Sequence, residues 1–203
     1  HIPFCVRKCK YCDFLSAPAS QRERQVYVDS LCGKIRSYAD SAKAYHVVSI
    51  FLGGGTPSIL EGEQILQIFA AIREAFLVDD DAEITLEANP GTVTGGGPAS
   101  VTEEKLAAWR QAGINRLSIG LQSAEDRELK ALGRIHTFAG FKETYQAAVA
   151  AGFSNMNVDL MSAIPFQTEE SWERTLRTVA GLTPPPAHIS AYSLIIEEGT
   201  PFY

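Results

Sequence analysis

The sequence predicts an α/β fold with a mostly parallel sheet inside and helices outside. Two observations predict it. Apolar runs of strand length alternate with stretches of helical periodicity five times along the 203 residues. The connections between these runs are short, so no domain boundary interrupts the alternation. Alternation of this kind is written by open doubly wound sheets and by (β/α) barrels alike, and periodicity leaves both open.

The elements follow in order. "SQRE" at Ser20 to Glu23 is a capping box, and Tyr27, Leu31, Ile35 and Tyr38 continue behind it at helical spacing. "VVSIFL" from Val47 to Leu52 is an apolar run of strand length. Ile65, Leu66, Phe69, Ile72 and Phe76 mark a second helix. "EITLEANP" alternates at Ile84 and Leu86 and stops at Pro90. The stretch Gly95, Gly96, Gly97, Pro98 reads as a flexible loop. A further capping box, Ser100 with Glu103, opens a helix through Leu106 and Trp109 to Gly113. "INRLSIGLQ" alternates at Leu117, Ile119 and Leu121. A short helix ends near Gly133, and a longer one runs from about Thr137 to Gly152. "MNVDLM" is the next strand, and a helix through Trp172, Leu176 and Val179 follows it. Pro184, Pro185 and Pro186 form a rigid connection into the last strand, "HISAYSLI".

Composition narrows the function classes. Hydrophobic residues make up 45% and charged residues 21%, ordinary for a globular chain with a sizeable core. A net charge of −6 matches a phosphate backbone poorly, which argues against nucleic acid as a partner. No run approaches the length of a membrane span, and no signal-peptide pattern is present. The chain opens at His1 and closes just after Gly199-Thr200-Pro201, so both ends read as cut from a longer protein. Four cysteines, three of them clustered, do not form a disulfide framework, and a reducing, cytoplasmic setting is expected.

Ligands of parallel α/β folds sit beyond the carboxyl ends of the strands. Polar or glycine residues occupy those ends here. They are Gly53-Gly54-Gly55-Thr56-Pro57, then Glu87 and Asn89, then Gln122 and Ser123, then Asp159. Each has a plain structural alternative. The glycine run could be a strand-to-helix turn, and it is not a P-loop because no G-K-[ST] follows. Glu87 and Asp159 could pair with Arg116 or Arg134, and Gln122 could cap a helix. Cys32 falls in the first helix's apolar pattern, and Met156 and Met161 read as core.

The opening "HIPFCVRKCKYCDF" is less easily explained as structure. Cys5, Cys9 and Cys12 are spaced C-x3-C-x2-C. A structural zinc site wants a fourth Cys or His in a second cluster, and a ferredoxin wants a fourth cysteine. Three thiolates on a cube of iron and sulfur leave one iron without a protein ligand, free to bind a small molecule.

With that triplet at the head of a β/α alternation, the chain resembles the radical S-adenosylmethionine superfamily. "HIPFC", "GGGTPS", "RLSIGLQS", "LGRIH" and "SAYSL" with "EGTP" resemble, in order, its coproporphyrinogen-oxidase-like branch across essentially the whole chain. The resemblance implies a partial (β/α)6 barrel spanning residues 1–203, the core of a longer protein. It implies a [4Fe–4S] cluster on Cys5, Cys9 and Cys12, whose open iron chelates S-adenosylmethionine for cleavage to a 5′-deoxyadenosyl radical. It also implies roles for the strand-end residues. Gly54, Gly55 and Thr56 would line the methionine end, and Glu87, Gln122, Arg134 and Asp159 would contact S-adenosylmethionine. Arg134 would suit its carboxylate through two parallel hydrogen bonds, and Asp159 its ribose hydroxyls or amino group. Tyr11 would shield the cluster or stack near the adenine, and Ile195 matches at the last strand's end.

Two departures from the branch stand out. Its coproporphyrinogen III dehydrogenases carry a further cysteine two residues after the third, where this chain has Phe14, as its heme-chaperone members do. Family members also continue well beyond "EEGTPFY", into the region expected to contact heme. Two functions therefore compete. One is heme binding and delivery to other proteins, with the cluster and S-adenosylmethionine in structural or regulatory roles; the sequence names neither the haemoprotein acceptor nor the electron donor. The other is oxidative decarboxylation of coproporphyrinogen III to protoporphyrinogen IX. A radical enzyme with another substrate is the third.

Overall fold

The computed structural model of the chain describes residues 1–91 and 102–203. Five strands form one sheet: β1 (His46–Leu52), β2 (Leu77–Ala88), β3 (Arg116–Gln122), β4 (Asn155–Ser162) and β5 (His188–Ser193). The helices are α1 (Gln21–Arg36), α2 (Ala39–Ala42), α3 (Gly62–Ala75), α4 (Glu103–Ala112), α5 (Asp126–Leu132), α6 (Phe138–Ala150) and α7 (Glu169–Ala180). All neighbouring strands are parallel, in the order β1-β2-β3-β4-β5. That order decides between the two architectures. A doubly wound sheet reverses its strand order at a switch point, and this one never does. Every crossover steps the same way, and right-handed crossovers then put the main helices on one face. The sheet curls around its other face as a half-barrel.

The outer face builds the core. Leu86, Ile119, Leu121, Val158 and Leu160 are buried against Phe69, Leu106, Trp109, Phe141 and Tyr145 from the helices. A buried residue of that size contributes about 1.5–3 kcal/mol by leaving water. Cys32 and Met156 belong to this core, as their apolar positions predict, while Met161 sits in a smaller cluster with Leu132 and Ile164.

Local chemistry sets the helix ends. Ser20 and Glu23 form the expected capping box on α1, which ends at Arg36, so Tyr38 lies outside it. The predicted Ser100–Glu103 box does not open α4. Ser100 lies outside the described residues, as does the Gly95 to Pro98 loop, and the cap is Thr102, whose hydroxyl accepts from the Lys105 amide. Thr137 caps α6, and Gly133 ends α5 in a left-handed conformation with φ +78°. Strand β2 starts at Leu77, ahead of the predicted Glu83, because Leu77 and Val78 already pair with His46 and Val47 of β1; Asp79 to Asp81 carry no apolar alternation that would signal it.

Candidate functional site

The register brings polar residues of successive strands into one row on the inner face. Glu87 lies opposite Ser118, Gly120 opposite Asp159, and Asp159 opposite Ser190. Above this row a cleft of about 490 Å³ opens at the strands' carboxyl ends, within the range that holds a cofactor-sized molecule. All twelve residues singled out from the sequence line it: Cys5, Cys9, Tyr11, Cys12, Gly54, Gly55, Thr56, Glu87, Gln122, Arg134, Asp159 and Ile195.

The cysteine loop is held by backbone hydrogen bonds and by the Arg7 side chain. Ile2 continues the sheet edge, donating to Gly53 O at 2.8 Å and accepting from the Gly55 amide at 2.9 Å. The Cys5 amide donates to Ala17 O at 3.1 Å and the Lys10 amide to Leu132 O at 3.0 Å. Arg7 Nη2 donates to Gly133 O at 2.8 Å. The glycine run is needed at this junction. Gly54 has φ +122°, and a Cβ on Gly55 would stand 2.7 Å from Phe4 O and 3.1 Å from Cys5 Sγ.

All four cysteines are free. Cys5 Sγ lies 3.4 Å from Thr56 Oγ1, and Arg134 Nη1 points at Cys9 Sγ at 3.8 Å. Burial pushes the Cys12 thiol up, the Phe14 amide opposes this, and the neighbouring Cys9 and Cys5 add to the rise. Among the described residues, no three His, Cys, Asp or Glu side chains converge tightly enough to enclose a single metal ion. A four-iron cube takes each cysteine at a separate corner and asks only that they share one wall, which these three do. Cys32, the fourth, is buried in the helical core.

Neither Glu87 nor Asp159 forms an ion pair with Arg116 or Arg134. Arg116 Nη1 donates to Thr85 Oγ1, and Arg134 Nη2 donates to Asn89 Oδ1 and Gly120 O, both at 2.6 Å. Arg134 therefore does not present a free fork to the cleft, and its buried Nε and the neighbouring His136 Nδ1 have no protein partner. Burial raises the Glu87 carboxyl above the usual range, the Gly54 amide opposes this at 3.1 Å, and the charge of Asp159 adds to the rise. Such a carboxyl group, half-hidden and not paired with an arginine or lysine, is suited to hydroxyl or amino groups of a ligand.

Gln122 does not cap a helix, since the cap of α5 is Glu125. It sits at a bulge with φ +76°, and its Oε1 accepts from Tyr192 OH at 2.8 Å. Burial first, then the charge of Asp159, pushes the Tyr192 hydroxyl up to about 12. Tyr11 packs under the loop against Leu132, Met161 and Ile164. Phe14 and Ile195 form an exposed apolar lip.

Sequence reasoning missed Ser118, Gly120, Asn157 and Tyr192. Their signal was present: they occupy the alternate positions of β3, β4 and β5, between the apolar residues that marked those strands. Gly120 leaves room that a Cβ would take, 3.1 Å from Asn89 Oδ1 and 3.3 Å from Arg134 Nη2.

A curled parallel sheet with three cysteines at the mouth of its cleft defines a class, and the chain matches the Radical SAM superfamily over residues 1–179. It belongs to that family, which implies a [4Fe–4S] cluster and S-adenosylmethionine. Among curated relatives it is similar to the heme chaperone HemW of Haemophilus influenzae, 41% identical over 207 residues, covering 100% of this chain and 51% of that protein. HemW of Escherichia coli K12 is 39% identical, again covering 100% of this chain and 51% of the relative. The chain thus spans about half the length of these relatives. Among solved structures it resembles coproporphyrinogen III oxidase (HemN) of Escherichia coli, with TM-score 0.84 and 30% identity, over 96% of this chain and 43% of that one. No helix among the described residues is long and apolar enough to cross a membrane.

Proposed function

We propose that residues 1–203 are the cluster- and S-adenosylmethionine-binding core of a longer, cytoplasmic heme-trafficking protein. In this reading Cys5, Cys9 and Cys12 hold the cluster through three corners. Bound there, the cluster with S-adenosylmethionine supplies one-electron chemistry. The chain's own residues bind and orient. Gly54, Gly55 and Thr56 let a ligand approach bare backbone beside Cys5, and Glu87 and Asp159 accept hydrogen bonds from its hydroxyl or amino groups. Gln122, fixed by Tyr192, offers its amide nitrogen, and Arg134 Nη1 faces Cys9 and the carboxylate end. Tyr11 and Ile195 exclude water from the two sides.

The observation that carries the choice of heme trafficking is Phe14. It is 64% exposed on the lip of the cleft, where it offers an apolar ring and no thiol. An exposed apolar lip suits a flat macrocycle, and similarity to heme chaperones across the whole chain supports the same reading. Coproporphyrinogen III oxidation is the second reading, favoured by the likeness to HemN.

One pair of assays separates them. The reconstituted full-length protein, given a reductant, S-adenosylmethionine and coproporphyrinogen III without oxygen, is expected to form no protoporphyrinogen IX by chromatography. The same protein is expected to bind heme in a spectral titration and pass it to an apo-haemoprotein. Multiple turnover of coproporphyrinogen III sinks the trafficking reading.

A further inference from the structure

We propose that Asn157, locked in one orientation by His188 and Ser190, is a positioning residue that aims Asp159 into the cleft. The inference rests on the reading above, in which Asp159 contacts S-adenosylmethionine.

Asn157 is 1% exposed, on the inner face of β4 two residues before Asp159. Its Nδ2 donates to Asp159 Oδ1 at 2.8 Å and to Ser118 Oγ at 2.8 Å. Its Oδ1 accepts from His188 Nδ1 at 2.5 Å and from Ser190 Oγ at 3.1 Å. A primary amide has two donors and two acceptor lone pairs, and all four are used here. The assignment of oxygen and nitrogen follows from chemistry. An ionised carboxylate only accepts, so the amide nitrogen must face Asp159, and the oxygen then faces β5. His188 must in turn carry its proton on Nδ1.

The arrangement reaches Asp159 from both sides. Ser118 Oγ accepts from Asn157 and donates to Asp159 Oδ2 at 3.2 Å, so each carboxylate oxygen receives one bond from the protein. The second acceptor position of each oxygen stays available to a ligand. The register supplies the geometry, with Ser118 opposite Asn157 and Asn157 opposite His188. A buried polar residue bonded at every position on three strands does more than fill space. It removes the rotational freedom that Asp159 would otherwise lose on binding.

The test uses the full-length, cluster-reconstituted protein and calorimetric binding of S-adenosylmethionine. Asp159→Ala sets the reference, and Asn157→Leu and His188→Leu are each expected to weaken binding about three- to tenfold. His188→Asn, whose amide nitrogen can stand where Nδ1 stands, is expected to restore the parent affinity. That rescue is a readout that general loosening of the fold would not produce. His188 is exposed, so its variants carry the test if Asn157→Leu does not fold. Weakened Asp159→Ala beside parent-like His188→Leu overturns this inference alone. Unchanged affinity in Asp159→Ala overturns the ligand reading of Asp159 and this inference with it. Equal weakening by His188→Leu and His188→Asn overturns the orientation argument.

Discussion

His136 shows how far one residue departs from its ordinary chemistry. It is 8% exposed, and its Nε2 donates to Leu121 O at 3.2 Å. Burial, and then the Arg134 guanidinium, push its pKa down from 6.5 to about 3. The folded chain keeps the ring neutral where the unfolded chain protonates it. The unfolded state therefore binds the extra proton as pH falls below 6.5, and stability is lost progressively towards pH 3. Between pH 6.5 and 5 the loss is expected to be about 1.5–2 kcal/mol. Denaturant titrations of parent and His136→Asn check it, and equal slopes with pH would remove the explanation. The cysteines give a second test. Cys5→Ala, Cys9→Ala and Cys12→Ala are each expected to lower iron and sulfide content after anaerobic reconstitution, and Cys32→Ala to leave it unchanged. The cysteines were legible because their spacing has few structural uses. Asn157 was not, because a polar residue inside a strand has the same letter whether it faces solvent or a carboxylate.

At the scale of elements, the tight junction is between the cysteine loop and the glycine run after β1. A methyl group at Gly55 would meet the Phe4 carbonyl, which is backbone and does not yield as a side chain would. Gly55→Ala is expected to cost about 1–3 kcal/mol and to reduce cluster content by displacing Cys5. Thermal melts and iron counting on the same preparation check both, and an unchanged iron content would mean the loop tolerates the shift. The strands and most helices were legible because apolar period and caps coincide, as at Ser20 with Glu23. The α4 cap was misplaced by two residues because Ser100 and Thr102 are both capable acceptors, and only the fold decides between them. Helix α2, of four residues, is too short to carry a period.

For the whole molecule, alternation predicted a parallel sheet, but its letters do not encode strand order. The monotonic order leaves β1 and β5 as the two edges, and Val48 of β1 is 67% exposed. Unpaired edges template further pairing. The isolated 203-residue chain is expected to self-associate with rising concentration in sedimentation, and Val48→Lys to reduce this. A chain that stays monomeric throughout would show that these edges are protected by their twist.

The hydrogen bonds that pin the cysteine loop have a consequence for biogenesis. None of the bonds at Ile2, the Cys5 amide, Lys10 and Arg7 involves a thiol. Many small metal domains acquire their shape only when the metal arrives. Here the sheet edge and the end of α5 hold the loop through bonds that need no metal, so cluster uptake is expected to be a docking event rather than a folding one. Hydrogen exchange on cluster-free full-length protein should find the Cys5 and Lys10 amides slow, and a scaffold machinery would need only to present its cargo at an open mouth.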